Sequence, residues 1–124
     1  MSTENKYSDW SGPKARLRFL RLSPRRVRAV ADLVRGQTVL DAQATLFLSN
    51  TRGAKALLGL LGSAVANAKQ SNPNLSEGDL LVDTITVDQG PPFMKKWRPR
   101  AHGRATAIKR LQSHITILLV ENEY

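Results

Sequence analysis

A chain of 124 residues with 41% apolar composition is long enough for one modest core and too short for two, and its apolar content excludes wholesale disorder. Nineteen Lys and Arg against ten Asp and Glu leave a formal charge of +9, which points to a polyanionic partner such as nucleic acid, an anionic membrane surface or an acidic protein. The absence of cysteine excludes disulfides, thiolate catalysis and Cys-based metal sites, and it fits a reducing compartment.

Residues 1–14, MSTENKYSDWSGPK, mix both signs of charge with small polar residues. They read as a flexible tail, neither a signal peptide nor an Arg-rich transit sequence, ahead of a single domain over 15–124. From Ala15 to Leu22 the sequence ARLRFLRL alternates, which predicts a half-buried strand with Leu17 and Phe19 on one side and Arg16 and Arg18 on the other. Ser23 and Pro24 then signal a helix start, the Ser hydroxyl capping a free amide and Pro standing where no hydrogen bond is lost. Val27, Val30, Ala31 and Val34 follow at helical spacing up to a terminating Gly36, with Arg25, Arg28 and Arg35 on the opposite face.

Thr38 and Asp41 form a capping pair for a second helix reaching about Leu48, whose apolar side is read as Leu40, Ala44, Phe47 and Leu48. A third helix is predicted from Thr51 to about Gln70, with Ala54, Leu57, Leu58, Leu61, Val65 and Ala68 on one stripe. Gly59 and Gly62 each cost up to about 1 kcal/mol of helix propensity, so close approach to a neighbouring element is their expected role. The longest apolar run, Ala56 to Ala68, is too short and too interrupted to span a bilayer, so no membrane partner is expected. After the turn-forming SNPNLSEGD come strands near Leu80–Val87 and His114–Val120. The order predicts an α+β domain in which a three-stranded antiparallel sheet is packed with three helices, plus a long extended β-hairpin arm.

The arm, about residues 89–113, lies within DQGPPFMKKWRPRAHGRATAIKRLQSH, which runs from Asp88 to His114. Seven Lys or Arg and no acidic residue occur between Asp88 and Glu121. Pro91, Pro92 and Pro99 are expected to break regular pairing and Gly90 and Gly103 to loosen the backbone, leaving a segment that needs a polyanion to order it. About thirteen residues per side would reach roughly 40 Å at about 3.3 Å per residue.

No catalytic residue, metal ligand or cofactor is expected. His102 and His114 have no carboxylate pair nearby, no phosphate-cradling Gly-Lys-Ser/Thr loop occurs, and the acidic residues are scattered. His114 is expected to close the sheet with a local hydrogen bond, and His102 to meet RNA. Fifteen of the nineteen cations fall in two blocks, Lys14–Arg35 and Lys95–Arg110, where a merely solvated surface would interleave both signs. Phe93 and Trp97 stand among the second block, so planes for base stacking alternate with phosphate partners. The candidate RNA contacts are Arg16, Arg18, Arg21, Arg25, Arg26 and Arg28, with Lys95, Lys96, Trp97, Arg98, Arg100, Arg104, Lys109 and Arg110. An alternative is a helix-turn-helix DNA-binding regulator built on the first two helices. Against it, Val39–Asn50 holds no Lys or Arg and carries Asp41, a poor reading surface for a major groove.

Several segments together resemble the bacterial-type large-subunit ribosomal protein twenty-two family. They are Leu22-Ser23-Pro24-Arg25-Arg26-Val27-Arg28, Ala31-Asp32-Leu33-Val34-Arg35-Gly36, Ser63-Ala64-Val65-Ala66-Asn67-Ala68 and Val87-Asp88-Gln89-Gly90-Pro91. Arg98-Pro99-Arg100-Ala101-His102-Gly103-Arg104-Ala105 and Ser113-His114-Ile115-Thr116 complete the set. The resemblance covers about residues 15–121. It implies a structural constituent of the large ribosomal subunit, without enzymatic activity, that binds large-subunit rRNA, supports its assembly and lines the nascent-peptide exit tunnel with its hairpin arm. By the resemblance, Arg98, Arg100, Ala101, His102, Gly103 and Arg104 form the tunnel-lining tip. The implied partners are large-subunit ribosomal RNA, neighbouring large-subunit ribosomal proteins and the nascent polypeptide, with no homo-oligomer, in a bacterial cytoplasm or a plastid. The chain departs from the family pattern by one extra residue near Pro92, by Ala107 and Leu111-Gln112 where basic residues or Thr are common, and by Lys69-Gln70.

Overall fold

A computed structural model of the chain describes residues 12–92 and 94–121, with the side chains of Met94, Lys95 and Lys109 outside that description. Most of the expected tail and Phe93 therefore fall outside it too. In order come β1 (Lys14–Leu20), α1 (Pro24–Val34), α2 (Val39–Leu48), α3 (Arg52–Ser71), β2 (Leu80–Gln89), β3 (Met94–Pro99), β4 (Ala105–Arg110) and β5 (Ser113–Glu121). The fold is the α+β one that the sequence predicts. An antiparallel sheet runs in the order β1-β5-β2, three helices pack on it, and β3 with β4 forms a separate hairpin.

β5 is the middle strand and reads as a buried run. Ile115, Ile117 and Leu119 join the helix-side core, while Thr116 and Leu118 are buried at the alternate positions. From α1, Val27, Val30, Ala31 and Val34 join the same core. Gly36, at φ 85°, ends that segment in the left-handed conformation that glycine adopts without steric cost. Ser23 departs from its expected role: it holds the N-cap position, but its side chain makes no capping hydrogen bond. Thr38 and Thr51 do cap, accepting from the amides of Asp41 at 3.3 Å and Ala54 at 3.2 Å.

Two helix readings are corrected. In α2 the buried residues are Val39, Ala42 and Leu46, whereas Leu40, Phe47 and Leu48 are 52%, 79% and 81% exposed, so the apolar side lies on the other stripe. Both stripes have helical spacing, and contact with α1, α3 and β2 selects the smaller residues. In α3, Gly59 and Gly62 face open space, and a Cβ there would meet nothing within 4 Å. The close approach is made by Gly53 instead, where a Cβ would lie 3.6 Å from Val30 Cγ2 on α1.

β1 also departs from strict alternation. Its register with β5 shifts between Leu17 and Leu20, and Phe19 adopts φ 60°, which turns its ring outward to 57% exposure. His114 holds this bulge by a long-range hydrogen bond rather than the local one expected of it: Phe19 N donates to His114 Nδ1 at 3.1 Å, with the two rings edge to face at 4.9 Å. The outer edge of β2 is covered by arginines placed at sequence level on the solvent face of α1. Arg28 donates from Nε and Nη2 to Val87 O at 3.2 and 3.0 Å, and Arg35 from Nη2 to Ile85 O at 2.9 Å. On the opposite edge Asn67 Nδ2 donates to Lys14 O at 2.9 Å. In the turn before β2, the Ser76 hydroxyl and amide donate to Asp79 Oδ2 at 2.8 and 3.2 Å, holding that carboxyl below its usual range.

Candidate nucleic-acid interface

The arm is more regular than its prolines suggest. β3 and β4 pair without interruption from Met94 with Arg110 to Pro99 with Ala105, six pairs spanning about 20 Å. Pro99 takes the last pair, and Pro91 and Pro92 precede Met94, so each missing amide lies at or beyond the ends of the ladder. The tip is closed by Arg100 N donating to Arg104 O at 2.6 Å, across a turn in which His102 and Gly103 are left-handed at φ 62° and 72°.

Register sorts the arm into two faces. Lys96, Arg98, Thr106, Ile108 and Arg110 share one, while Trp97 shares the other with Pro99, Ala105 and Ala107. Trp97 pairs with Ala107, which is too small to cover an indole, and it stays 63% exposed. Arg98, Arg100, Ala101, His102, Gly103 and Arg104 are all exposed. The register also pairs Lys95 with Lys109, whose side chains lie outside the description. A cationic face backed by an open aromatic plane can engage phosphates and stack a base.

At the root of the arm, four residues separate Gln89 from Met94 and two separate Arg110 from Ser113. The limbs are joined there by Gly90 N donating to Gln112 O at 2.9 Å. Gly90 is buried rather than loosening the chain, and a Cβ on it would come within 2.9 Å of His114 Nε2.

On the body, the candidate cations fall into separate places. Arg16 stands opposite Thr116, beside Lys14 and Asn67, and Arg18 lies in the β1 bulge. Arg28, like Arg35, is engaged with the β2 edge. Arg21 and Arg26 meet Arg110 from the end of β4, and these three line a cleft of about 400 Å³ together with Arg52. Arg25 is exposed on the first turn of α1, outside that lining. Sequence reasoning missed Arg52. Its signal was present: a cation at the first position of a helix opposes the helix dipole, and it is placed there at a cost unless an anion is nearby. The exposed side of α2, by contrast, carries Leu40, Asp41, Phe47 and Leu48 and no cation. Among the described residues no cluster of His, Asp and Glu could hold a metal ion, and no helix is long and apolar enough to cross a membrane.

Comparison with known proteins converges on one family. The family described as Ribosomal protein L22p/L17e matches residues 15–120. A protein of Syntrophus aciditrophicus named large ribosomal subunit protein uL22 is 49% identical over 108 residues, covering 87% of this chain and 96% of its own. Its namesake in Syntrophotalea carbinolica is 48% identical over 87% of this chain and 96% of its own, and that in Mesoplasma florum 47% over 86% and 93%. With the match running from the second residue of β1 to the penultimate residue of β5, the chain belongs to the Ribosomal protein L22p/L17e family.

Proposed function

We propose that this chain binds large-subunit ribosomal RNA, supports the assembly of that RNA, and lines the nascent-peptide tunnel with its arm. Membership of the family makes it a structural protein of the large subunit and not an enzyme. The observation that carries the RNA reading is the arm itself, a six-pair ladder standing outside the core sheet, rich in cations, free of acidic residues and exposed at every described side chain but the half-buried Ile108. Such a hairpin buries little of its own surface, so a polyanion is the partner that would fix it. Tunnel lining rests on the family resemblance of the tip, Arg98 to Arg104, and on its exposure.

The test is binding to large-subunit rRNA and to duplex DNA across a salt series, for the full chain and for a chain with residues 90–112 replaced by a short turn. Seven arm cations engaging phosphates are expected to contribute roughly 5 to 6 to the slope of log affinity against log salt, with RNA preferred. Equal competition by DNA and an unchanged slope on truncation would overturn the reading. For the tip, His102→Cys supplies the single thiol in a chain without cysteine. Crosslinking from it to a stalled nascent peptide is expected on assembled ribosomes, and its absence would remove the tunnel assignment.

A further inference from the structure

Beside the arginine cleft lies a second cavity, also of about 400 Å³, lined by Leu22, Arg26, Ala29, Val30, Thr51, Arg52 and Gly53. The two share Leu22, Arg26 and Arg52, so a cationic chamber opens next to an apolar one with two guanidiniums at their boundary. No carboxylate lines either chamber. Both α1 and α3 begin here, neither has an acidic residue in its first turn, and the Ser23 hydroxyl, which caps no amide, lines the cationic side. Leu22 lines both chambers and its backbone is held in place: its amide donates to Leu20 O at 2.8 Å and its carbonyl accepts from Ser113 Oγ at 2.6 Å. Gly53, packed beside Val30, lines the apolar chamber at the start of α3.

We infer that the paired chambers hold one unstacked nucleotide of single-stranded RNA, its phosphate among Arg26, Arg52 and Arg110 and its base in the apolar slot. The inference rests on the RNA-binding reading above. The chemistry of the two halves differs as the halves of a nucleotide do. Guanidiniums make paired hydrogen bonds to phosphate oxygens, while a base leaving its stack needs an apolar wall and a planar cation to lie on. Arg26 and Arg52 can serve both, bonding phosphate at their edges and stacking through their faces. Because Arg110 ends the arm and Arg26 and Arg52 belong to the body, the bound nucleotide would also tie the two together.

The experiment measures affinity of the full chain for large-subunit rRNA at several salt concentrations, together with chemical probing of base reactivity in the complex. Three variants are compared: Arg52→Gln in the phosphate chamber, Ala29→Leu filling the slot from an exposed helix position, and Lys55→Gln as a cation outside both chambers. Thermal melts confirm that each folds. Arg52→Gln is expected to weaken binding about tenfold and flatten the salt slope by about one. Ala29→Leu is expected to weaken binding about tenfold with no change in slope, and to restore reactivity at one nucleotide protected by the parent chain. Lys55→Gln is expected to leave that nucleotide protected. Unchanged affinity and protection in Ala29→Leu would overturn the inference while leaving the RNA reading intact. So would normal RNA binding combined with failure to join other subunit proteins, which would make the slot a protein contact. Failure of the parent chain to bind rRNA would instead remove the reading beneath it.

Discussion

His114 is the residue whose replacement would teach most about the body of the protein. Its ring accepts the Phe19 amide, lies edge-on to the Phe19 ring and closes against the backbone of Gly90. A methyl group at residue 90 can be accommodated only by moving that ring off Phe19, so Gly90→Ala is expected to destabilise by about 1–2 kcal/mol in denaturant melts. In a His114→Ala background the same change should cost about 1 kcal/mol less, and additive costs would show that the two sites do not communicate. The arginines of α1 divide in the same testable way. Arg28→Ala leaves the Val87 carbonyl without its donor, and is expected to lose about 1–2 kcal/mol of stability with no change in the salt dependence of RNA binding. Arg26→Ala should do the reverse, leaving the melt in place and reducing the slope by about one. Sequence named both as candidate RNA contacts on one helix. Only the position of β2 distinguishes the guanidinium that completes a sheet edge from the one that faces an open cleft.

Among the elements, α3 offers the simplest gain. Gly59 and Gly62 are exposed helix-interior glycines with open space where a Cβ would stand, so Gly59→Ala and Gly62→Ala should each raise stability by about 0.5–1 kcal/mol in the free protein. A loss on thermal unfolding would mean that the helix is strained there. These glycines also show where sequence reasoning stops. Identity and order of all the main elements were legible, because capping threonines, Pro24, Gly36 and the Val27–Val34 spacing each express a local rule. Which face of α2 turns inward was not, since Val39-Ala42-Leu46 and Leu40-Phe47 are equally good helical stripes and the choice belongs to the neighbours. Phe19 was misassigned for a related reason: a bulge changes the parity of every later residue in the strand without a local mark. The interface was legible as two charge blocks, yet Arg52 joins them only through the fold.

At the scale of the whole molecule, the arm and the body meet at the cleft lined by Arg21, Arg26, Arg52 and Arg110, so the end of the second cationic block joins two members of the first. The groove along the arm, lined by Lys96, Trp97, Arg98 and Ile108, ends at the same Arg110. A strand of RNA running along the cationic face would meet phosphate partners in succession, with the Trp97 plane on the opposite face of the ladder. The order of strands in the sheet adds a different consequence. β1 and β2 are joined in the sheet only through β5, the strand made after the arm, and Lys14 must wait for Leu118 before it has a strand partner. Such long-range closure makes folding slow, and it makes it conditional on synthesis of the last strand. A chain ending at Gln112 should therefore lack the sheet altogether and show a non-cooperative melt. During translation, the basic hairpin is presented on a rigid base only after the ribosome has passed it, so interrupted products carry the charge of the arm without the frame that aims it.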